Sequence, residues 1–301
     1  MSAPARLAAF AAAIAVLFGG TVAAGRAIGG GSDDARPASA RGSSAGMTGM
    51  DTGHGAEAAG DHDGDEPSTA VAPGLAVAQG GLRLEAPSRA RAGRTTTFAF
   101  RIVDAHGAPV RRFAVEHARR LHLIVVRRDL TGFQHLHPRM DPSGRWTTQL
   151  RLPTAGAYRV FADVRPVGSE KVTLASDVLV GGRFSPRALP APSTTAMTAD
   201  GYQVSLDGTA GAGREGELRF TVRRDGRPVA VQPYLGADGH LVALRDGDLA
   251  YLHVHPTDGR APGRIGFMAE YPSAGRYRLF LQFRHAGRVH TAAFTQEVPA
   301  A

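Results

Sequence analysis

Six of the twelve histidines in this 301-residue chain lie in two copies of one pattern, H-x12-H-x-H-P. The first copy contains His122, His135 and His137, and the second contains His240, His253 and His255. The copies lie 118 residues apart without a gap, so the pattern is an internal repeat rather than a chance H-x-H. Imidazole nitrogen is a common ligand of zinc and copper, and three rings on one face could hold such an ion.

Apolar runs around these histidines predict the strands that would position them. His122 opens the run LIVV, and His135 and His137 lie in the run FQHLH, with a polar turn between the two runs. Residues i and i+2 of a strand point to the same face, so the two rings of H-x-H project together. If the two strands pair, His122 meets both rings across the ladder. The sequence therefore predicts a three-imidazole cluster in each copy that binds copper or zinc. The alternative is that the histidines are structural and that Pro138 and Pro256 end edge strands.

The two copies differ at several positions near the motif. His117 precedes His122 by five residues, and its counterpart in the second copy is Leu235. Asp163 in the first copy corresponds to Gln282 in the second. The first copy thus has the richer ligand set, and we expect it to bind metal more tightly. Asp129, inside the first motif, is interpreted as a turn residue, although it could also orient a histidine.

The N-terminal quarter of the chain has a different composition. Residues 1–28 predict a signal peptide or membrane anchor, because residues 7–24 carry no charge and are just long enough to cross a bilayer. Residues 29–74 are dominated by Gly, Ser, Ala, Asp and Pro and predict a disordered linker. Further candidate copper ligands in this linker are Met47, Met50, His54 and His62. The alternative is an ordinary acidic tether. In either case the rest of the chain is expected outside the cytoplasm, secreted or membrane-anchored.

The remaining residues predict an all-β fold: two tandem Ig-like antiparallel β-sandwich domains after an N-terminal hydrophobic helix and the linker. Short alternating runs such as LRLE and TTTFAFRIV are separated by turns such as DAHGAP and PTAG, as is typical of sandwiches. The predicted domains are residues 75–182 and 198–301, joined by a proline-containing linker at residues 183–197.

Composition excludes several classes of function. The chain has no cysteine, which excludes disulfides, thiolate zinc sites and blue-copper centres. The net charge of +8 comes almost entirely from scattered arginines, with Lys171 the single lysine, so no nucleic-acid partner is expected. The sequence shows neither a nucleophile–base pair nor paired carboxylates, which predicts a protein that is not an enzyme.

The first copy, LHLIVVRRDLTGFQHLHP from Leu121 with YRVFAD from Tyr158, resembles the YtkA-like family of small exported bacterial domains, which are similar to the CopC type. The second copy, from Leu235, resembles the tandem companion domain of actinobacterial exported proteins. The resemblance covers residues 75–298 and implies Ig-like sandwiches, an extracytoplasmic location and an association with copper or other heavy metals. It does not carry over the histidine at the mature N-terminus that CopC-type copper sites use. We therefore expect an extracytoplasmic metal-binding protein, or alternatively a pair of Ig-like modules that bind another envelope protein.

Overall fold

The computed structural model describes residues 72–208, 211–252, 254–257 and 263–300. These residues form strands and loops without a helix, and among them no helix is long and apolar enough to cross a membrane. The predicted all-β sandwich class is confirmed. The predictions for the hydrophobic segment 7–24, for the four candidate ligands of the linker and for His253 lie outside the described residues.

The first sandwich consists of two sheets with the strand orders β1-β2-β4-β8-β7 and β3-β10-β9-β5-β6. Neighbouring strands are antiparallel except for β3 and β10, which are parallel. The strands are β1 (Ala78–Gln79), β2 (Leu82–Glu85), β3 (Arg89–Ala90), β4 (Thr95–Val103), β5 (His122–Arg127), β6 (Gln134–Leu136), β7 (Arg139–Met140), β8 (Arg145–Arg151), β9 (Gly156–Val164) and β10 (Val172–Val180).

The second sandwich repeats this plan with the strand orders β11-β12-β13-β17-β16 and β15-β18-β19, and β14 pairs with β13. Its strands are β11 (Thr195–Met197), β12 (Tyr202–Asp207), β13 (Glu215–Arg224), β14 (Arg227–Pro228), β15 (Gly239–Arg245), β16 (Val254–Thr257), β17 (Arg264–Glu270), β18 (Gly275–His285) and β19 (Arg288–Val298).

The alternation of apolar residues explains how each pair of sheets closes on a core. On β4, Phe98, Phe100 and Ile102 alternate with more exposed residues and pack with Trp146 of β8 between the sheets. β5 departs from this alternation because all six of its residues are buried. The continuous run LIVV therefore indicates a strand that is covered on both faces.

Each sandwich also contains a tyrosine that closes a turn on its own backbone. The hydroxyl of Tyr158 donates to the carbonyl of Thr154 at 3.0 Å, and the hydroxyl of Tyr277 donates to the carbonyl of Ser273 at 2.9 Å. A tyrosine bonded to backbone a few residues upstream is characteristic of immunoglobulin-type sandwiches. The recurrence of this bond at equivalent positions shows that the two copies share one local design.

A third apolar cluster joins the sandwiches, because the outer face of the β10-β9-β5-β6 layer packs on the outer face of the β15-β18-β19 layer. Phe133 and Phe280 stack at the centre, with ring centroids 4.1 Å apart and planes at 7°. The first sandwich contributes Ile124, Val126, Leu130, Phe161 and Ala175, and the second contributes Val242, Leu244, Leu249, Tyr251 and Phe280. Because the packed faces are equivalent in the two copies, the contact is close to self-complementary.

The segment at the start of the described region is inserted beside this contact. The carbonyl of Pro73 accepts a hydrogen bond from the backbone N–H of Tyr251, and Gly74 donates to the carbonyl of Thr173. The guanidinium of Arg159 donates to the Gly74 carbonyl at 2.9 and 3.0 Å. Gly74 has φ +75°, and a Cβ here would lie 2.8 Å from the ring of Phe161, so both its conformation and its surroundings require glycine.

Candidate metal centre

The first histidine motif is placed on the covered outer face of the first sandwich. His122 begins β5, and His135 on β6 pairs with Ile124, two residues further along β5, so both rings point to the same face. His137 follows His135 by two residues at the end of β6. One nitrogen from each of the three rings lies within 4.8 Å of the others, close enough for the trio to hold a metal ion. The structure thus brings together the three histidines of the first copy.

Hydrogen bonds fix which nitrogens of this trio carry protons. Nε2 of His122 lies 3.1 Å from the carbonyl oxygen of Glu116, and Nδ1 of His135 lies 2.6 Å from the amide oxygen of Gln282. Both oxygens can only accept, so both of these ring nitrogens must donate. In the neutral rings, the remaining nitrogens are bare lone pairs. These are Nδ1 of His122 and Nε2 of His135, which face each other at 2.9 Å.

His240, at the equivalent position of the second copy, joins the first copy's trio from the opposite sandwich. Its ring stacks on His122 with centroids 5.3 Å apart and lies 4.5 Å from the ring of His135. Nδ1 of His240 and Nε2 of His137 are buried and have no hydrogen-bond partner among the described residues. Burying a polar atom without a partner is costly. Two buried, unpartnered ring nitrogens therefore belong to histidines of this cluster.

The electrostatic surroundings keep these rings uncharged. Burial lowers the pKa of His135 to about 3, with the neighbouring rings of His122 and His137 acting in the same direction. Burial and the nearby His122 lower the pKa of His137 to about 4. Burial also lowers the pKa of His122 and holds that of His240 well below the usual range. The rings are neutral near pH 7, which is the form that coordinates metal.

His117 lies at the rim of the cluster, in a tight turn where its φ is +46°. Its ring centroid is 6.0 Å from those of both His122 and His240. Burial and the charge of Lys171 lower the pKa of His117. Next to it, the carboxylate of Glu116 pairs with Arg165 at 3.0 Å. His117 is thus near the trio without belonging to the group whose nitrogens lie within ligand distance of one another.

The second motif is arranged differently from the first. β16, which carries His255, pairs with β17 in the opposite sheet rather than with β15, and His255 is exposed. Among the described residues, the three histidines of the first copy are the group of ligand residues close enough together to hold an ion. The ring of His240 lies against those of His122 and His135, and the predicted cluster of the second copy stays a prediction because His253 lies outside the described residues.

Two further residues of the motif region have clear roles in the structure. Asp129 is a turn residue, as interpreted from the sequence, and its carboxylate binds the guanidinium of Arg127, with 2.9 Å between Oδ1 and Nε. The sequence showed only that Gln282 stands where the first copy has Asp163. It could not predict the contact of Gln282 with His135. That contact depends on how the two sandwiches pack, and neither strand pattern contains this information.

Comparisons with solved structures give matches of low similarity. The integrin-binding bacterial protein invasin is 13% identical, with 73% of this chain and 39% of the invasin chain covered and a TM-score of 0.23. Domains 5–6 of the S-layer protein SbsC are 13% identical, with coverages of 73% and 97% and a TM-score of 0.22. The Ig1-2 module of the Drosophila receptor protein tyrosine phosphatase DLAR is 7% identical, with coverages of 73% and 99% and a TM-score of 0.21. No curated protein matches the chain in sequence.

A family model matches the chain twice, over residues 76–181 and again over residues 196–300. Each match contains one sandwich and one histidine motif, in agreement with tandem Ig-like domains. The chain therefore belongs to the family described as Domain of unknown function (DUF8832), of which it carries two copies.

Proposed function

We propose that this protein binds a transition metal ion, copper or zinc, at the histidine cluster between its two sandwiches. One observation carries the proposal: one ring nitrogen from each of His122, His135 and His137 lies within 4.8 Å of the others. Imidazole nitrogens gathered this closely are the arrangement that a zinc or copper ion requires. His137 and His240 each have a buried ring nitrogen without a hydrogen-bond partner among the described residues, and the His240 ring lies 4.5 Å from that of His135.

The donor set agrees with this choice of metal. Zinc and copper bind imidazole nitrogen at about 2.0–2.1 Å, and two such ligands on a tetrahedral ion lie about 3.3 Å apart. The trio's nitrogens lie within 4.8 Å of one another, so side-chain shifts of about 1 Å would gather them around an ion. A site made of imidazoles without thiolate or thioether is suited to zinc and Cu(II), whereas the methionines of the linker would suit Cu(I).

The cellular setting is part of the same proposal. An uncharged N-terminal segment at residues 7–24 supports export or anchoring and hence an extracytoplasmic role. The resemblance to YtkA-like and CopC-like domains supports metal handling rather than catalysis. In this proposal the linker residues Met47, Met50, His54 and His62 form a second, weaker capture site.

Titration of the full-length chain with Zn²⁺ and with Cu²⁺ tests the proposal. The triple variant H122A/H135A/H137A is expected to lose the tightest equivalent of metal and to keep any weak uptake by the linker. The exposed His106 provides a matched control, because H106A removes an imidazole far from the cluster. Equal uptake by the triple variant and the wild type would refute the proposal.

A second candidate function is protein binding, in which the histidines only support the interface. Two large apolar side chains favour it, since Val115 is 62% exposed and Val167 is 52% exposed. They lie on neighbouring segments joined by hydrogen bonds from Ala114 to Arg165 and from Val167 to Arg112. A wild-type chain that binds neither metal would leave this as the better explanation.

A further inference from the structure

Gln282 of the second sandwich contacts a histidine of the first. It lies on β18 directly opposite His240 of β15, and only 8% of its surface is exposed. Its amide oxygen accepts a hydrogen bond from Nδ1 of His135 at 2.6 Å. This contact crosses the interface and ends on a ring of the proposed metal centre.

Gln282 has a polar contact at each end of its amide. The NH₂ group of Gln282 donates to the hydroxyl of Thr291 on β19 at 3.4 Å, and the amide oxygen faces His135. An amide oxygen only accepts, so Nδ1 of His135 must carry the proton and Nε2 must be free. Thr291, Gln282 and His135 thus form a chain of hydrogen bonds that ends at a lone pair inside the cluster.

The equivalent residue of the first copy is used differently. The carboxylate of Asp163 binds Lys171 at 3.0 Å and accepts a hydrogen bond from Thr173 at 2.9 Å. It therefore serves its own sandwich and holds its charge next to a cation. Gln282 is an uncharged acceptor, and it can be buried against a neutral imidazole without the cost of burying an unpaired charge.

We infer that Gln282 is a positioning residue, which sets the tautomer and orientation of His135 from across the interface so that Nε2 is presented to the metal. This inference rests on the proposed metal binding. Residues that hold a metal-ligating histidine by its second nitrogen typically contribute 10–100-fold to metal affinity. Gln282 contributes to affinity in this way although it lies in the other sandwich from His122, His135 and His137.

Zn²⁺ titration of the full-length chain, with the wild type beside three variants, tests this role. Q282L removes the acceptor, and we expect it to weaken Zn²⁺ binding about 10–100-fold. Q282E keeps an acceptor at the same reach, and we expect it to restore affinity to within about threefold of the wild type or better. F280L is the matched control, because Phe280 lies two residues away on the same face of β18 and packs in the interface against Phe133.

The tautomer is measured independently of metal by long-range ¹H–¹⁵N NMR of the metal-free protein, with His135 assigned by comparison with H135A. The wild type and Q282E should show the proton of His135 on Nδ1, and Q282L should show a shift toward Nε2.

Unchanged affinity and tautomer in Q282L would overturn the inference and leave metal binding intact. An equal loss of affinity in F280L would also overturn it, because loosening of the interface would then explain the effect. A wild type that binds no Zn²⁺ would refute the proposed function, and the tautomer measurement would still decide whether Gln282 positions His135.

Discussion

His122 and His240 occupy the same position in the two copies of the repeat, and their rings stack on each other across the interface, with planes 15° apart. Duplication followed by face-to-face packing has brought equivalent residues together. Two copies of the motif therefore do not imply two independent sites. His122, His135 and His240 lie in one cluster where the two sandwiches meet.

The first prediction concerns His240, which belongs to the second copy. H240A should weaken Zn²⁺ or Cu²⁺ binding at the first copy's trio by at least about tenfold, because the His240 ring packs against those of His122 and His135 and helps to hold them in place. Isothermal titration of the full-length chain measures this change, with H106A as the control. If the sites were independent, H240A would leave the tightest binding constant unchanged.

A second prediction concerns the ion pair inside the first motif. The side chains of Arg127 and Asp129 are 5% and 6% exposed, and D129A leaves the guanidinium buried without its partner. Loss of one member of a buried pair costs about 3–5 kcal/mol of unfolding free energy. Urea denaturation followed by tryptophan fluorescence measures it, since Trp146 lies in the core of the same sandwich.

The second copy provides the control for this ion pair. Asp248 binds Arg245 in the equivalent turn, but its side chain is 40% exposed. D248A is therefore expected to cost only about 0–1 kcal/mol. Similar losses in D129A and D248A would show that burial does not determine the strength of these pairs.

A third prediction concerns stability in acid. Burial alone would raise the pKa of Asp129, but hydrogen bonds from Arg127 and Thr131 and from the backbone N–H of Arg187 outweigh it and lower the pKa to about 2. A carboxyl group with a lowered folded-state pKa stabilises the fold above its unfolded value of 3.8. This contribution is lost as the pH falls from 3.8 toward about 2. In the wild type, unfolding free energy should fall through this window, and in D129N the part due to Asp129 should be absent. Parallel curves for the two proteins would contradict the assignment.

A fourth prediction concerns Gly74, where the chain passes between the sandwiches. G74A adds a Cβ 2.8 Å from the Phe161 ring and 2.9 Å from the Cβ of Tyr251, at a φ of +75°. We expect a loss of about 2–4 kcal/mol, from left-handed strain of about 1 kcal/mol together with overpacking of about 1–3 kcal/mol. Gly80 has φ +59° and open space around it, so G80A should show the strain alone. Chemical denaturation measures the loss of unfolding free energy in G74A and in G80A. Equal losses would show that the residues around Gly74 shift to accommodate the added Cβ without cost.

Local patterns in the sequence predicted most of the strands. The run TTTFAFRIV became β4 with the predicted bounds, and RIGFMAE became β17, because period-two alternation and turn residues act over short distances. The gathering of His122 and His135 also followed from strand geometry. The contacts of His240 with His122 and His135 could not be predicted, because they depend on packing between the sandwiches. Hydrophobic runs such as LIVV indicated burial on both faces, but they could not identify the covering surface.

The covered faces have a consequence for assembly. The two sandwiches pack together through equivalent apolar patches. Each patch is therefore buried by its counterpart in the other sandwich. Modules joined head to tail leave a free end at which a further module can add, whereas in the described residues the two equivalent patches cover each other. Both copies of this patch are therefore occupied within the pair of sandwiches.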